Sequence, residues 1–226
     1  MDLKRMTPFL IVGAAIVIVL AIGITALYTV APEGKAVVKR FGKVVKITDP
    51  GLHVKLPFGI DRAYFVRTER VLKQEFGFRT VRPGQRTVYQ KGEKERQESL
   101  MLTGDLNVID VEWVVQYKIN DPDEYLHRVR QPEKSIRDVA EAVMRRIVGN
   151  RISRDVLTVG RVAIAEDARR EMQTIMDSYG IGVHITRVEM QDVTPPEPVK
   201  PAFNEVNEAR QQKERLINEA EKRRNQ

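Results

Sequence analysis

The stretch Gly34–Val66, GKAVVKRFGKVVKITDPGLHVKLPFGIDRAYFV, reads as short strands cut by turns. AVVKRFG and KVVKIT are rich in β-branched residues, which suit a pleated surface, and Gly42 separates them. In PGLHVKLPFG, Leu52, Val54 and Leu56 alternate with His53 and Lys55, the period of two that gives a strand one apolar face. Pro50-Gly51 and Pro57 mark turns. Two more strands are expected around Arg62–Thr68 and Val71–Phe78.

Upstream lies FLIVGAAIVIVLAIGITALYTV, Phe9–Val30, 22 residues without a charge. As a helix it spans about 33 Å, close to the hydrocarbon thickness of a bilayer. Gly13 and Gly23 are ordinary inside membrane helices, and Tyr28 sits where an interfacial aromatic belongs. A cleaved signal peptide has a shorter apolar region and a small-x-small site; the nearest such site here would leave Pro32 directly after the cut. The expectation is an uncleaved single anchor ending at Phe9 and Val30, behind a short tail of residues 1–8. Lys4 and Arg5 favour a cytoplasmic tail. Lys35, Lys39, Arg40 and Lys43 argue the other way, but they open a long folded domain, and such domains cross largely regardless of charge.

Downstream, Val81–Leu100 is polar and reads as a turn-rich excursion. LNVIDVEWVVQYKI follows as a long strand pair or bent strand with Val111, Trp113, Val115 and Tyr117 on one face, ended by Asp121-Pro122. Helices then take over. Ser135 and Asp138 resemble a capping-box start, and Ile136, Val139, Ala140, Val143 and Ile147 share a face closed by Gly149-Asn150. A second helix is expected over Val159–Tyr179, with Ile164, Ala168, Met172, Ile175 and Met176 inward and Gly180 stopping it. VHITRVEM is one more strand, and Asp192–Pro196 is a break. From Pro198 onward, Ala202, Val206, Ala209, Lys213, Leu216, Ala220 and Arg223 recur at spacings of four and three, the seam of a coiled-coil helix with two basic positions. The pattern has no cap at Gln226, so the coil is expected to continue past it. The fold class is α+β: an N-terminal transmembrane helix, a mixed α/β domain over 31–194, and the start of a C-terminal coiled-coil helix over 195–226.

The composition narrows the function. The net charge is +7, from 38 basic and 31 acidic residues, but the two signs are interleaved, as in EKERQE. That is a solvated surface and not a polyanion groove, so nucleic-acid binding is not expected. With no cysteine there are no disulfides, thiolate metal sites or cysteine nucleophiles. His53, His127 and His184 stand alone in sequence, without metal-ligand spacing. There is no GxSxG elbow and no P-loop, and the glycines of GIGVHI follow a helix where a dinucleotide loop must follow a strand. No catalytic, cofactor-binding or metal residue is assigned.

The Gly34–Val66 block resembles the opening of the SPFH or band 7 family: stomatin, prohibitin, flotillin and HflK/HflC. ESLMLTGDLNVIDVEWVVQYKINDPDEYL and GIGVHITRVEMQDVTPPEPVKPAFNEVNEARQQKERLINEAEKRRN are similar to the HflK branch. The resemblance covers residues 33–226 and implies a small domain lying against the membrane, followed by a long helix, with subunits packed side by side into large closed assemblies. It implies an HflC-like partner and a cage around the AAA+ membrane protease FtsH on the extracytoplasmic face of the bacterial inner membrane. The cage regulates access of membrane-protein substrates to the protease. No cofactor and no catalytic residue is implied, only a regulator. The alternative within the family is a general stomatin- or flotillin-like membrane-microdomain scaffold without FtsH. Two departures stand out: the tail before the anchor and the C-terminal helix are both shorter than the HflK branch usually shows.

Overall fold

The computed structural model describes residues 23, 25–82, 88–90, 92–158 and 160–224. In chain order the strands are β1 Leu27–Val30, β2 Lys35–Arg40, β3 Lys43–Thr48, β4 Gly51–Val54, β5 Asp61–Val66, β6 Leu72–Phe76, β7 Arg79–Arg82, β8 Val88–Gln90, β9 Leu100–Leu102, β10 Val108–Ile119 and β11 Val183–Thr194. The helices are α1 Glu93–Ser99, α2 Pro122–His127, α3 Pro132–Gly149, α4 Ser153–Leu157, α5 Arg161–Tyr179 and α6 Lys200–Arg224, with a 3-10 turn at Glu197–Val199 before α6. Two units form, one from 1–72, 117–136 and 173–186, the other from 73–116, 137–172 and 187–226.

In the first unit, β3-β2-β5 is an antiparallel three-stranded sheet, and β1 pairs with β4. This corrects the anchor's C-terminal end. Leu27–Val30 is a strand and not the last turn of a membrane helix, paired Leu27↔Val54 through Val30↔Gly51. Tyr, Thr and Val are strand formers, and β4 offers them a ladder. Gly23, Thr25 and Ala26 are helical. The rest of the expected anchor lies outside the described residues, and among the described ones no helix is long and apolar enough to cross a membrane. The core of this unit takes Ala36, Val37 and Val38 from β2, Val66, and Tyr125, Ile136, Met176 and Ile181 from the helical segments and their ends.

The first unit also turns a strand terminator into a helix start. Asp121 caps α2 by accepting the backbone N–H groups of Asp123 and Glu124 at 2.8 and 3.1 Å, with Pro122 at the first helical position. The N–H groups of Asn120 and Asp121 both donate to Gly182 O, at 2.8 and 3.0 Å.

In the second unit the sheet order is β11-β10-β6, with β9 also pairing β10. Val111, Trp113 and Val115 are buried, as is Tyr117 at the part of β10 that belongs to the first unit, as the alternation of the strand requires. Trp113 stacks on Phe76 with ring centroids 3.7 Å apart, and the Arg137 guanidinium lies 4.5 Å from the same Phe76 centroid. Arg79 donates to both oxygens of buried Glu98 at 2.9 and 2.8 Å. Asp105 accepts from the hydroxyls of Thr103 and Ser153 and from the N–H of Ser153, which tethers its turn to the start of α4. Those hydroxyls hold its carboxyl well below the usual range.

Three local expectations change. The polar 81–100 stretch contains β7, β8 and the helix α1, whose Glu95 carboxylate accepts Gly92 N–H at 3.0 Å. Ser135 does not begin α3; Pro132 does, because its fixed φ is already helical, and Ser135 N–H donates to Gln131 O inside the first turn. α5 begins at Arg161, and Val159 lies outside the described residues.

Gly182 has φ +69°, and a Cβ there would stand 2.5 Å from Asp121 O and 2.9 Å from Glu124 Cβ. Gly182→Ala is expected to lower the unfolding free energy by about 1–3 kcal/mol, from strain and overpacking, read as a reduced denaturation midpoint.

Candidate functional site

The fold leaves two surfaces unpartnered. The first is the β1/β4 edge of the first unit. Lys55 N–H donates to Ala26 O at 2.7 Å, so β4 is bound to the chain where it leaves the apolar run. The Tyr28 hydroxyl donates to Thr48 Oγ1 at 3.0 Å, and Thr48 donates onward to Ala36 O at 3.1 Å. Tyr28 also lies against His53, ring centroids 5.7 Å apart. These contacts hold β1 on the domain.

On this edge the alternating face expected from sequence exists, but it is open. Leu52 is 69% exposed and Val54 62%, and Leu27 and Leu56 are exposed beside them. Phe41 and Phe58 are as open as this face: Phe41 is 85% and Phe58 72% exposed. Both phenylalanines sit at turn tips with positive φ, +49° and +60°, each followed by a glycine of positive φ. Phe41-Gly42 is the two-residue connection between β2 and β3, where both φ values must be positive and Asn or Gly is favoured. A bulky side chain there costs about 1–2 kcal/mol, and neither ring recovers it by burial.

Arg40 braces this edge. Its Nε and Nη2 donate to Asp61 Oδ1 and Oδ2 at 2.9 and 3.2 Å, and Leu56 N–H donates to the same carboxylate at 3.0 Å. One buried carboxylate thus ties the β2 end to the 56–61 turn.

The second surface is α6. From Pro201 onward, every residue whose side chain is described in this 25-residue helix is exposed, including the expected seam Ala202, Val206, Ala209, Lys213, Leu216, Ala220 and Arg223. Phe203 and Ile217 widen the apolar stripe beyond that seam. Their off-heptad positions hid them from a four-and-three reading. Among the described residues, the charges from Glu205 to Arg224 form no ion pair; at the helix start Lys200 bonds Glu197.

The histidines do not converge. His53 Nε2 bonds Asp49 O at 2.7 Å, and His184 is exposed on β11. His127 is not isolated: one helical turn brings the Asp123 carboxylate to its Nδ1 at 2.5 Å. Among the described residues no three His, Asp or Glu are arranged to hold a metal ion. A cleft of ≈ 430 Å³ is lined by Asn120, Asp121, Glu124, Gln173, Asp177 and His184. Its groups serve the fold: Gln173 donates to Asp177 and to Val183 O and accepts from Ile185 N–H.

Residues 28–224 match the model of the SPFH domain / Band 7 family. The chain is 42% identical over 192 residues to Protein HflK of Treponema pallidum, covering 84% of this chain and 58% of that protein. It is 35% identical over 219 residues to Protein HflK of Borreliella burgdorferi, covering 96% and 69%. It is 34% identical over 211 residues to the Modulator of FtsH protease HflK of Escherichia coli K12, covering 93% and 45%. The chain thus spans between about half and two thirds of the length of these relatives.

Arg40 and the Leu56 N–H hold the Asp61 carboxyl down to about 2 from an ordinary 3.8. A carboxylate held low in the folded state adds stability above 3.8 that is lost as pH falls toward about 2. Asp61→Asn is expected to lower the denaturation midpoint at neutral pH, and the gap from the parent should close across that window. A gap that stays constant with pH would show that the Asp61 charge is not what braces the edge.

Proposed function

The chain belongs to the SPFH domain / Band 7 family, and from that premise we propose that it is a membrane-anchored scaffold subunit that regulates a protease and makes no bonds itself. The observation that carries this reading is α6, a helix exposed from Pro201 onward that follows a folded domain and presents one apolar stripe beside charges that, from Glu205 on, form no ion pair among the described residues. A polar helix of this length is marginal by itself and gains its stability by packing against others. In this reading the apolar run ahead of β1 holds the domain at the inner membrane, with its N-terminus cytoplasmic and the SPFH domain extracytoplasmic. The exposed β1/β4 edge faces the lipid. The stripe Ala202–Arg223 packs on neighbouring helices, and the flanking charges select register and partner. Repeated lateral contacts close into a ring or cage, and function comes from enclosure.

The partners proposed are an HflC-like SPFH protein and an FtsH-like AAA+ membrane protease, whose access to membrane-protein substrates the cage limits. Co-purification from gently solubilised membranes, followed by electron microscopy, tests this: large closed particles containing both partners are expected. Rings without the protease would instead identify a general stomatin- or flotillin-like scaffold. Particles no larger than a dimer would overturn both.

Leu216→Glu puts a charge in the middle of the stripe. It is expected to shift the particle-size distribution to small species while leaving the circular dichroism of the domain unchanged, as measured by mass photometry alongside spectroscopy.

A further inference from the structure

The β2–β5 ladder contains a mispairing. Lys39 stands directly opposite Arg62, one step from the complementary pair Arg40 and Asp61. Like charges directly opposed across an antiparallel ladder destabilise it. Among the described residues neither cation has a carboxylate partner; the acid available at this end of the sheet, Asp61, is committed to Arg40. The Lys39 ammonium instead lies 4.5 Å from the Tyr64 ring centroid. Both cations line a cavity of ≈ 260 Å³, together with Phe41, Gly42, Gly59 and Tyr64.

A cavity with two cations on one wall and, among the described residues, no carboxylate paired to either is chemically an oxyanion site. Arg supplies a planar fork that matches phosphate oxygens, and Lys supplies a point charge. The rim says which oxyanion. Phe41 forms part of it, and Phe58 sits next to Gly59. Both rings are held out into solvent by strained turns. The same unit binds β4 to Ala26, at the exit of the apolar run. A soluble phosphate has no use for two exposed aromatic rings, whereas a phospholipid presents its phosphate and its acyl chains together.

We propose that this cavity binds the headgroup of an anionic phospholipid, with the phosphodiester between Lys39 and Arg62 and the lipid chains against Phe41 and Phe58. Binding neutralises the opposed cations and gives the two phenylalanines an apolar phase. The proposal rests on the membrane-anchored part of the scaffold reading. It does not depend on assembly, because it is measured on the single chain in detergent; absent rings count against the scaffold and leave this untouched.

The test is native mass spectrometry of the full chain released from a neutral detergent after equilibration with phosphatidylglycerol or phosphatidylcholine. The parent should retain phosphatidylglycerol in preference. The double variant Lys39→Gln, Arg62→Gln should lose that preference by about tenfold with phosphatidylcholine retention unchanged. It should also melt at a higher temperature than the parent in the absence of anionic lipid, since the repulsion is gone; a purely structural role for the pair predicts the opposite shift. Phe41→Ser should weaken lipid retention and spare the stabilisation given by inorganic phosphate. Equal retention of phosphatidylglycerol by parent and double variant overturns the proposal. So does stabilisation of the parent by inorganic phosphate as strong as by the lipid, which would identify a free-anion site. If the double variant does not fold, Arg62→Gln alone carries the same expectation at smaller amplitude, and unchanged retention there is equally fatal.

Discussion

The hydrogen bond from Lys55 N–H to Ala26 O is the contact on which the rest of the first unit's surface depends. It binds the end of the apolar run to β4, and the β1–β4 ladder extends that union to Val30 and Gly51. In the scaffold reading, a loose linker after the anchor would let the domain tumble. Here there is no linker: helical Ala26 is followed at once by strand residue Leu27. Whatever holds the apolar run therefore also orients Leu52, Val54, Leu56 and Phe58. The edge can carry exposed apolar side chains in fixed positions because its backbone has no freedom to turn them inward.

That constraint makes sense of several local costs. Phenylalanine in a left-handed turn, a lysine opposite an arginine, and open leucines on a strand face each work against the isolated domain. The same unit has well-satisfied alternatives close by: the Arg40–Asp61 pair, and the Tyr28–Thr48–Ala36 hydrogen-bond chain. On the buried side of β2, Ala36, Val37 and Val38 pack into the core of the unit.

The period-two alternation and the helical stripes were legible in the sequence because they depend only on spacing. Val111, Trp113 and Val115 had to share a face of β10, and Ala140, Val143 and Ile147 had to share a face of α3; all are buried. What spacing does not say is whether a face is covered. Leu52, Val54 and Leu56 alternate as a core strand does, yet among the described residues nothing covers their face. β1 was hidden for a related reason. An apolar run looks the same whether its last residues stay helical or pair, and only β4, more than twenty residues on, decides. Asp121-Pro122 has two meanings, a strand terminator and a capped helix start, and the Asp121 side chain resolves them by bonding forward to Asp123 and Glu124. The Lys39/Arg62 opposition required register, which no single strand carries.

Register also governs α6. Two of its seven seam positions are basic, Lys213 and Arg223. In a parallel pairing of two copies each of these meets itself across the seam, and like charges at a packed seam cost stability. A neighbour whose helix offers carboxylates at those levels relieves both positions at once. The apolar residues around them, Val206, Ala209, Leu216 and Ala220, are small or medium-sized and would pack against many helices. In the proposed packing, affinity comes from the apolar positions and discrimination from the two basic ones. In the proposed scaffold, a seam built this way would disfavour the closed two-copy coil and favour alternation with a different chain. Alternation is what a ring of two subunit types requires, so the charge pattern of α6 accounts for more of the proposed architecture than its hydrophobicity does.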